Sequence, residues 1–360
     1  MQSERKKTRV LVVDDSAVMR KLISGLLEKD REIEVIATAI DGCFALTKVE
    51  RLKPDVVTLD VDMPRMDGMT ALEEMVSKYR TPVIMLSSLT TRGAALTMQA
   101  LEKGAVDFVC KPEGAARLAE MAEELVSKVK AAARANISVL SRDPLDLPPV
   151  MNKPAIVGQG SAAGKIVAIG ASSGGPNALR YLLPRIPADL HAGIVIVQHM
   201  PESFTRMLAQ WLSEICELEV KEAEPGDLAV PGKAFIAPGS SHMKVRKTAA
   251  GCQILLEGSP LVNGHRPSVD VLFRSVAEEY GDSATGIIMT GMGSDGTQGL
   301  EEIKAAGGWT IAQDEETCAV YGMPRIAVER GCVNEVVSLR DMATYLTLKI
   351  GRAENSYAIS

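Results

Sequence analysis

The sequence predicts an α/β protein of two domains: an N-terminal five-stranded parallel (βα)5 unit and a C-terminal doubly wound, mostly parallel α/β sheet with a small antiparallel addition. Three observations predict it. Short apolar runs alternate with helical stretches five times over residues 9–130. A second alternation begins at Ile166. Between them, residues 142–164 carry proline, then glycine and serine, with no apolar periodicity, which reads as an inter-domain connector. At 360 residues the chain is also too long for one ordinary core. The expected division is 1–133, connector 134–164, second domain 165–350 and a tail 351–360.

The first five apolar runs are 10–13, 35–39, 56–59, 83–86 and 106–109. Helical spacing separates them, as with Val18, Leu22 and Leu26 beside Met19, Ile23 and Leu27. Alternating β and α units mean a parallel sheet covered on both faces, with ligands at the carboxyl ends of the strands. Polar residues collect at those ends: Asp14 and Asp15 after strand one, Asp60 after strand three, Ser87 after strand four, and Lys111 before Pro112. Three carboxylates converging on one sheet edge repel unless a cation neutralises them. A hard ion that takes oxygen ligands and keeps some waters, Mg²⁺, is the natural occupant. Helix capping by acidic residues explains Asp15 or Asp67 but not the whole set.

The stretches V-V-D-D-S, T-L-D-V-D-M-P-R-M-D-G, M-L-S-S and V-C-K-P resemble the two-component receiver domain throughout residues 9–130. The resemblance implies that Asp60 accepts a phosphoryl group from a histidine kinase. It implies Mg²⁺ held by Asp15, Asp60 and the backbone carbonyl of Asp62, with Asp14 assisting, and Ser87 and Phe108 as switch hydroxyl and switch aromatic. Lys111 joins the same cluster. A side chain like Phe108 is equally suited to the core.

The second half opens on I-V-A-I-G-A-S-S-G-G-P at 166–176: a buried strand, a glycine turn carrying two serines, then a helix start at Pro176. Glycines 170, 174 and 175 suit positive φ and close approach. The segment 170–174 fits the G-x-S-x-G nucleophile turn, a pattern shared with many anion-binding loops. Another buried strand, 194–197, ends in Gln198 and His199 before a helix over 202–216. Runs 234–236, 243–245 and 253–256 read as shorter strands of the antiparallel addition. A helix is expected over 268–280. A third buried strand, 285–290, closes in G-M-G-S-D-G, which places Asp295 in a strand-to-helix turn.

Ser172, His199 and Asp295 therefore each follow a strand of one sheet, where a hydrolytic triad is assembled. A serine hydroxyl needs an imidazole to take its proton, and the imidazole needs a carboxylate to fix its tautomer. The order Ser, His, Asp differs from that of the α/β-hydrolases. Each residue has a plainer reading: His199 as a core histidine, Asp295 as the cap of the following helix. His242 and His265, both in turn-rich stretches, are rival bases; His191 falls in a loop and reads as solvated; Ser173 is the rival nucleophile.

The motifs G-A-S-S-G-G-P, V-Q-H-M-P, I-A-P-G, H-R-P-S-V-D-V-L-F, M-T-G-M-G-S-D-G and D-E-E-T-C-A-V-Y-G-M-P, in this order, are similar to the catalytic domain of the chemotaxis protein-glutamate methylesterases, the CheB family. That resemblance implies Ser172 as nucleophile, His199 as base, Asp295 as its orienting acid, the Met292 backbone N–H as an oxyanion donor and Ser173 in support. It further implies a phosphorylation-activated methylesterase and glutamine deamidase. A chemotaxis histidine kinase would be its phosphodonor, and methyl-accepting chemoreceptors its substrate. Ester hydrolysis itself would need no cofactor.

Composition bears on the alternatives. Residues 1–163 hold 23 Lys+Arg and 23 Asp+Glu, so the net charge of −6 falls on residues 164–360, with 17 basic and 23 acidic. An acidic second half without a basic stripe argues against a DNA-binding output and against nucleic-acid partners generally. The serine turn lacks G-x-G-x-x-G, and no acid ends the second strand, which argues against a dinucleotide site. No run of about 18 apolar residues occurs, so a membrane-embedded chain is not expected. The six cysteines, 43, 110, 216, 252, 318 and 332, lack ligand or CxxC spacing and read as reduced thiols of a cytoplasmic protein.

Overall fold

A computed structural model describes residues 7–112, 118–140 and 164–351. The chain falls into two compact units, Met1–Asp143 and Pro144–Ser360. Most of the connector expected at 134–164, and the tail after residue 351, lie outside the described residues.

In the first unit the strands are β1 (Thr8–Val13), β2 (Ile33–Ala39), β3 (Val56–Asp60), β4 (Val83–Ser87) and β5 (Asp107–Cys110). The helices are α1 (Ala17–Leu27), α2 (Gly42–Leu52), α3 (Gly68–Ser77), α4 (Thr91–Glu102) and α5 (Leu118–Ala132). All strand pairs are parallel, in the order β2-β1-β3-β4-β5. β3 and β4 are buried along their whole length, as expected of strands covered on both faces. The order reverses between β1 and β3, so Asp14 and Asp60 emerge side by side at the switch point. Asp41 caps α2, Asp67 caps α3 and Thr90 caps α4, each through its side-chain oxygen. Ser16, not Asp15, caps α1, which leaves Asp15 for other work.

The expected connector begins with structure. Residues Ile137–Leu140 form a helical turn, α6, and Ile137 lines a cleft with Val49, Pro54, Pro82 and Ala133 of the first unit.

In the second unit the strands are β6 (Lys165–Ala171), β7 (Ala192–Gln198), β8 (Glu219–Glu222), β9 (Leu228–Ala229) and β10 (Lys233–Ile236). They continue with β11 (His242–Thr248), β12 (Gly251–Glu257), β13 (Ala284–Ile288), β14 (Trp309–Gln313) and β15 (Glu335–Val337). The helices are α7 (Gly175–Leu182), α8 (Glu202–Ile215), α9 (Val269–Tyr280), α10 (Thr297–Ala305), α11 (Met323–Glu329) and α12 (Leu339–Ile350). Seven strands form one parallel sheet, β15-β14-β13-β6-β7-β10-β8, and β11-β12-β9 form a separate antiparallel sheet.

One expectation fails here. The run 234–236 belongs to the main parallel sheet, where β10 pairs with β7 and β8, and not to the antiparallel addition. Its three residues are all buried, whereas β11 turns its later residues to solvent. Continuous burial is the mark of a strand covered on both faces. β8 escaped the sequence reading because E-V-K-E is an edge strand with a single buried residue.

The core of this unit lies between the sheet and α9, with Phe235, Met243, Leu272, Phe273 and Leu300 enclosed. β6 sits at the middle of the sheet between β13 and β7. The turns after these three adjacent strands therefore open on a common edge.

Candidate active site

Ala171 pairs in register with Gln198, so Ser172 and His199 are the next residues out on neighbouring strands. The His199 amide extends the ladder by donating to the Ala171 carbonyl at 3.0 Å. The Ser172 amide donates to the Thr290 carbonyl at 3.0 Å, which ties the serine turn to the end of β13. Its carbonyl accepts from the Gly175 amide at 2.8 Å and from Gln198 Nε2 at 2.9 Å. Of the three glycines expected to bend this turn, only Gly174 takes positive φ, at 77°. Gly170 and Gly175 serve close approach: a Cβ on Gly170 would lie 2.2 Å from Val269 Cγ1, and one on Gly175 would lie 2.0 Å from Gln198 Oε1.

His199 Nε2 lies 2.8 Å from Asp295 Oδ2. Its Nδ1 is buried and has no hydrogen-bond partner among the described residues. The imidazole thus gives one nitrogen to the carboxylate and keeps the other for a proton.

Asp295 is 2% exposed. Its Oδ1 accepts from Ser268 Oγ at 2.7 Å, Asn263 Nδ2 at 3.0 Å and the Asp270 amide at 3.3 Å; Oδ2 accepts from the Val269 amide at 2.7 Å. Burial alone would raise its pKa. The hydrogen bond and charge of His199, with the bonds from Asn263 and Ser268, outweigh burial and hold the carboxyl well below the usual carboxylate range. It does not cap the helix that follows it, since α10 has Gly296 at that position without a side-chain bond. Its cap is given to α9 instead.

The rivals separate cleanly. His242 is fully buried; its Nε2 donates to the Pro260 carbonyl at 3.0 Å and its Nδ1 accepts from the Ser268 amide at 3.1 Å. With both nitrogens engaged it is a structural, neutral imidazole. His265 stacks on His199, ring centroids 3.8 Å apart and planes at 9°. His191 is half-buried rather than solvated, with its amide donating to the Gly351 carbonyl. Ser173 is 3% exposed, and its carbonyl accepts from Thr290 Oγ1 at 2.9 Å. Met292 follows Gly291, which is pinned in place by bonds to Val320, Gly322 and Met323. A Cβ on Gly291 would lie 2.8 Å from Ser172 Cβ, so that loop runs directly against the serine turn.

Sequence reasoning passed over Gln198, Asn263, Ser268 and Thr290. Gln198 had a signal: a polar residue at the end of an otherwise apolar strand, 2% exposed here. The others had none: Asn263 and Ser268 meet Asp295 across 32 and 27 residues, and Thr290 meets the Ser173 carbonyl across 117.

In the first unit, Asp14, Asp15 and Asp60 offer carboxylate oxygens all within 4.8 Å of one another. Lys111 Nζ lies 2.9 Å from Asp14 Oδ2 and 2.8 Å from Asp60 Oδ2. One ammonium among three carboxylates leaves an excess of negative charge and an all-oxygen donor set, which suits a hard divalent cation. Burial pushes the Asp60 pKa up to about 6, and the Lys111 hydrogen bond and charge offset it only in part. Burial works against the charged form of Lys111, but the bonds and charges of Asp60 and Asp14 prevail and raise its pKa. Ser87 Oγ faces α4, 3.1 Å from the Gly93 carbonyl and 2.7 Å from Thr97 Oγ1. The Asp62 side chain is exposed, with Arg92 at 3.6 Å. Phe108 is 2% exposed, a core position, with Lys128 Nζ 5.0 Å from its ring centroid.

Two family models match the chain: CheB methylesterase over residues 167–346 and the response regulator receiver domain over residues 10–123. A protein-glutamate methylesterase/protein-glutamine glutaminase 2 of Koribacter versatilis is 49% identical over 348 residues, covering 95% of this chain and 96% of its own length. The chain belongs to the CheB methylesterase family. A second CheB-family relative, the protein-glutamate methylesterase/protein-glutamine glutaminase of Salmonella typhi, is 44% identical over 350 residues, or 97% of this chain and 98% of its own. The crystal structure of the Thermotoga maritima CheB methylesterase catalytic domain is 41% identical with a TM-score of 0.51, covering 52% of this chain and 99% of that one. The CheB match takes in Ser172, His199 and Asp295; the receiver match takes in Asp14, Asp15, Asp60, Ser87 and Lys111. Among the described residues, no helix is long and apolar enough to cross a membrane.

Proposed function

We propose that this chain is a phosphorylation-gated protein-glutamate methylesterase and protein-glutamine deamidase of chemotaxis adaptation, acting in the cytoplasm on methyl-accepting chemoreceptors. Ser172 Oγ attacks the γ-carbonyl of a glutamate methyl ester while His199 Nδ1 takes its proton. Nε2 keeps its hydrogen and donates it to Asp295, whose charge steadies the imidazolium. Collapse of the tetrahedral intermediate expels methanol, protonated by His199. Water, deprotonated by the same nitrogen, then releases the glutamate carboxylate and restores Ser172. The Met292 backbone N–H and amides of the serine turn would receive the oxyanion, and Ser173 supports the turn. A glutamine side chain fits the same chemistry with ammonia as the leaving group.

Control would come through Asp60 as phosphoacceptor from a chemotaxis histidine kinase. Asp15, Asp60 and the Asp62 carbonyl, assisted by Asp14, would hold Mg²⁺, which supplies charge neutralisation for phosphoryl transfer. Lys111 already faces Asp60 and is placed to pair with added phosphoryl oxygens, and the Ser87 hydroxyl is the group that would turn toward them.

The observation that carries the reading is the His199–Asp295 pair, which leaves His199 Nδ1 buried and unbonded on the strand beside Ser172. The test is methanol release from a methyl-esterified chemoreceptor. Ser172→Ala should abolish it with unchanged circular dichroism, and Ser173→Ala should only weaken it. Removal of residues 1–160 should raise basal activity. Turnover by the Ser172→Ala protein would end the proposal; a truncated form no faster than the intact chain would end the gating.

A further inference from the structure

We propose that His265 is a positioning residue whose ring stabilises the imidazolium of His199; this rests on the reading of His199 as the base. The two rings lie nearly parallel, 9° apart, with centroids at 3.8 Å. At that distance one π-face lies over the other, and the repulsion of two electron-rich faces works against the contact while both rings are neutral. The contact becomes favourable when one ring carries a positive charge and meets the electron-rich face of the other. In the proposed cycle His199 gains that charge as it takes the Ser172 proton. The contact is therefore worth more in the transition state than in the resting enzyme, which is the condition for it to raise kcat.

The ring is held where this requires. Val262 and His265 exchange amide-to-carbonyl bonds of 3.0 and 2.9 Å across a two-residue turn. Asn263 and Gly264 both take positive φ, 53° and 78°, as the tight Asn-Gly turn of this twist demands. Asn263 then donates to both Asp270 Oδ2, at 2.7 Å, and Asp295 Oδ1, at 3.0 Å. Arg266 Nη1 fixes the far side of the loop on the Ser259 carbonyl at 3.0 Å. One short turn thus grips the acid through Asn263 and covers the base through His265. Stacked rings present faces to each other, so no proton passes between them.

The experiment compares His265→Ala, His265→Phe and His199→Gln in the full-length protein, by methanol release against the concentration of a methyl-esterified chemoreceptor, with thermal melts alongside. His265→Ala should lower kcat by about tenfold with KM unchanged, the scale of a desolvated cation–π contact. His265→Phe, which keeps an electron-rich face and has no ionisable nitrogen, should stay within about threefold of the wild type. A His265→Ala enzyme as fast as the wild type overturns the proposal. So does a His265→Phe enzyme as slow as His265→Ala at equal melting temperature, because the face alone would then not suffice. Wild-type turnover by His199→Gln overturns the base assignment and this inference with it.

Discussion

Asp270 and Asp295 cap each other's helices. Asp295, just before α10, accepts the Val269 and Asp270 amides in the first turn of α9; Asp270, in that turn, accepts the Gly299 amide of α10 at 2.7 Å. The N-terminal N–H groups and dipole of α9 therefore favour the charge on Asp295 before His199 is considered. Asp270 bears the cost: burial and then the neighbouring Asp295 charge raise its pKa against the pull of the Gly299 and Asn263 bonds. One carboxylate thus caps α9 and, in the proposed mechanism, orients and charges the imidazole.

Asp295→Asn should separate the two uses. The amide oxygen can still accept from the α9 amides, so the fold should survive. The charge that steadies the imidazolium is lost, and the amide can hold His199 in the wrong tautomer. A fall in kcat on the order of 10³–10⁴-fold is expected. Methanol release measured beside a thermal melt checks it; a loss of activity matched by unfolding would assign Asp295 a structural role only.

Asp60 makes a pH prediction for the first unit. Its pKa is raised to about 6 from an ordinary 3.8, so the folded state binds this proton more tightly than the unfolded chain does. Stability is accordingly lost as pH rises from about 4 to 6, by at most about 3 kcal/mol before any cation binds. Asp60→Asn should raise the melting temperature at pH 7 and leave it nearly unchanged at pH 4. Mg²⁺ should raise it at pH 7 in the wild type and much less in the variant. Melts of the wild type and Asp60→Asn, each with and without Mg²⁺ or EDTA, decide this; equal gains at both pH values would contradict it.

Gln198 joins the two turns between which the proposed proton transfer would run. Its Nε2 donates to the Ser172 carbonyl at 2.9 Å and the His199 carbonyl at 3.2 Å, while its buried Oε1 has no partner among the described residues. Gln198→Met keeps the length and removes every polar atom. Two carbonyls lose a donor but an unpaired acceptor also goes, so stability should change by less than about 2 kcal/mol. Misplacing the serine turn should still slow the reaction by about 10–100-fold. Labelling of Ser172 by a fluorophosphonate, beside urea melts, measures both; an unchanged labelling rate would show that the two turns hold their spacing without the amide.

Several features of this chain were legible locally. The five apolar runs of the first unit sit within a few residues of β1 to β5, most closely at β3 and β4, which are buried along their whole length and need continuous apolar side chains. The turns after β6, β7 and β13 announced themselves by glycine and by a polar residue closing an apolar run. β8 was not legible, since its burial comes from a neighbour rather than its own composition. Neither was the membership of β10, because an apolar run of three residues fits a parallel or an antiparallel partner equally well.

The amino-acid sequence by itself determined which residues stand at the strand ends, and so which chemistry the chain can carry: Ser172, His199 and Asp295 on one sheet, Asp14, Asp15, Asp60 and Lys111 on the other. Only the tertiary structure decided that Asp295 caps α9, that His242 is spent on Pro260 and Ser268, and that His265 lies flat on His199. The physical reason is range. Periodicity and turn chemistry act over a few residues, whereas the hydrogen bonds and the ring contact that set the proposed carboxylate and base apart from ordinary ones join segments tens of residues apart, and exist only once the sheets have formed.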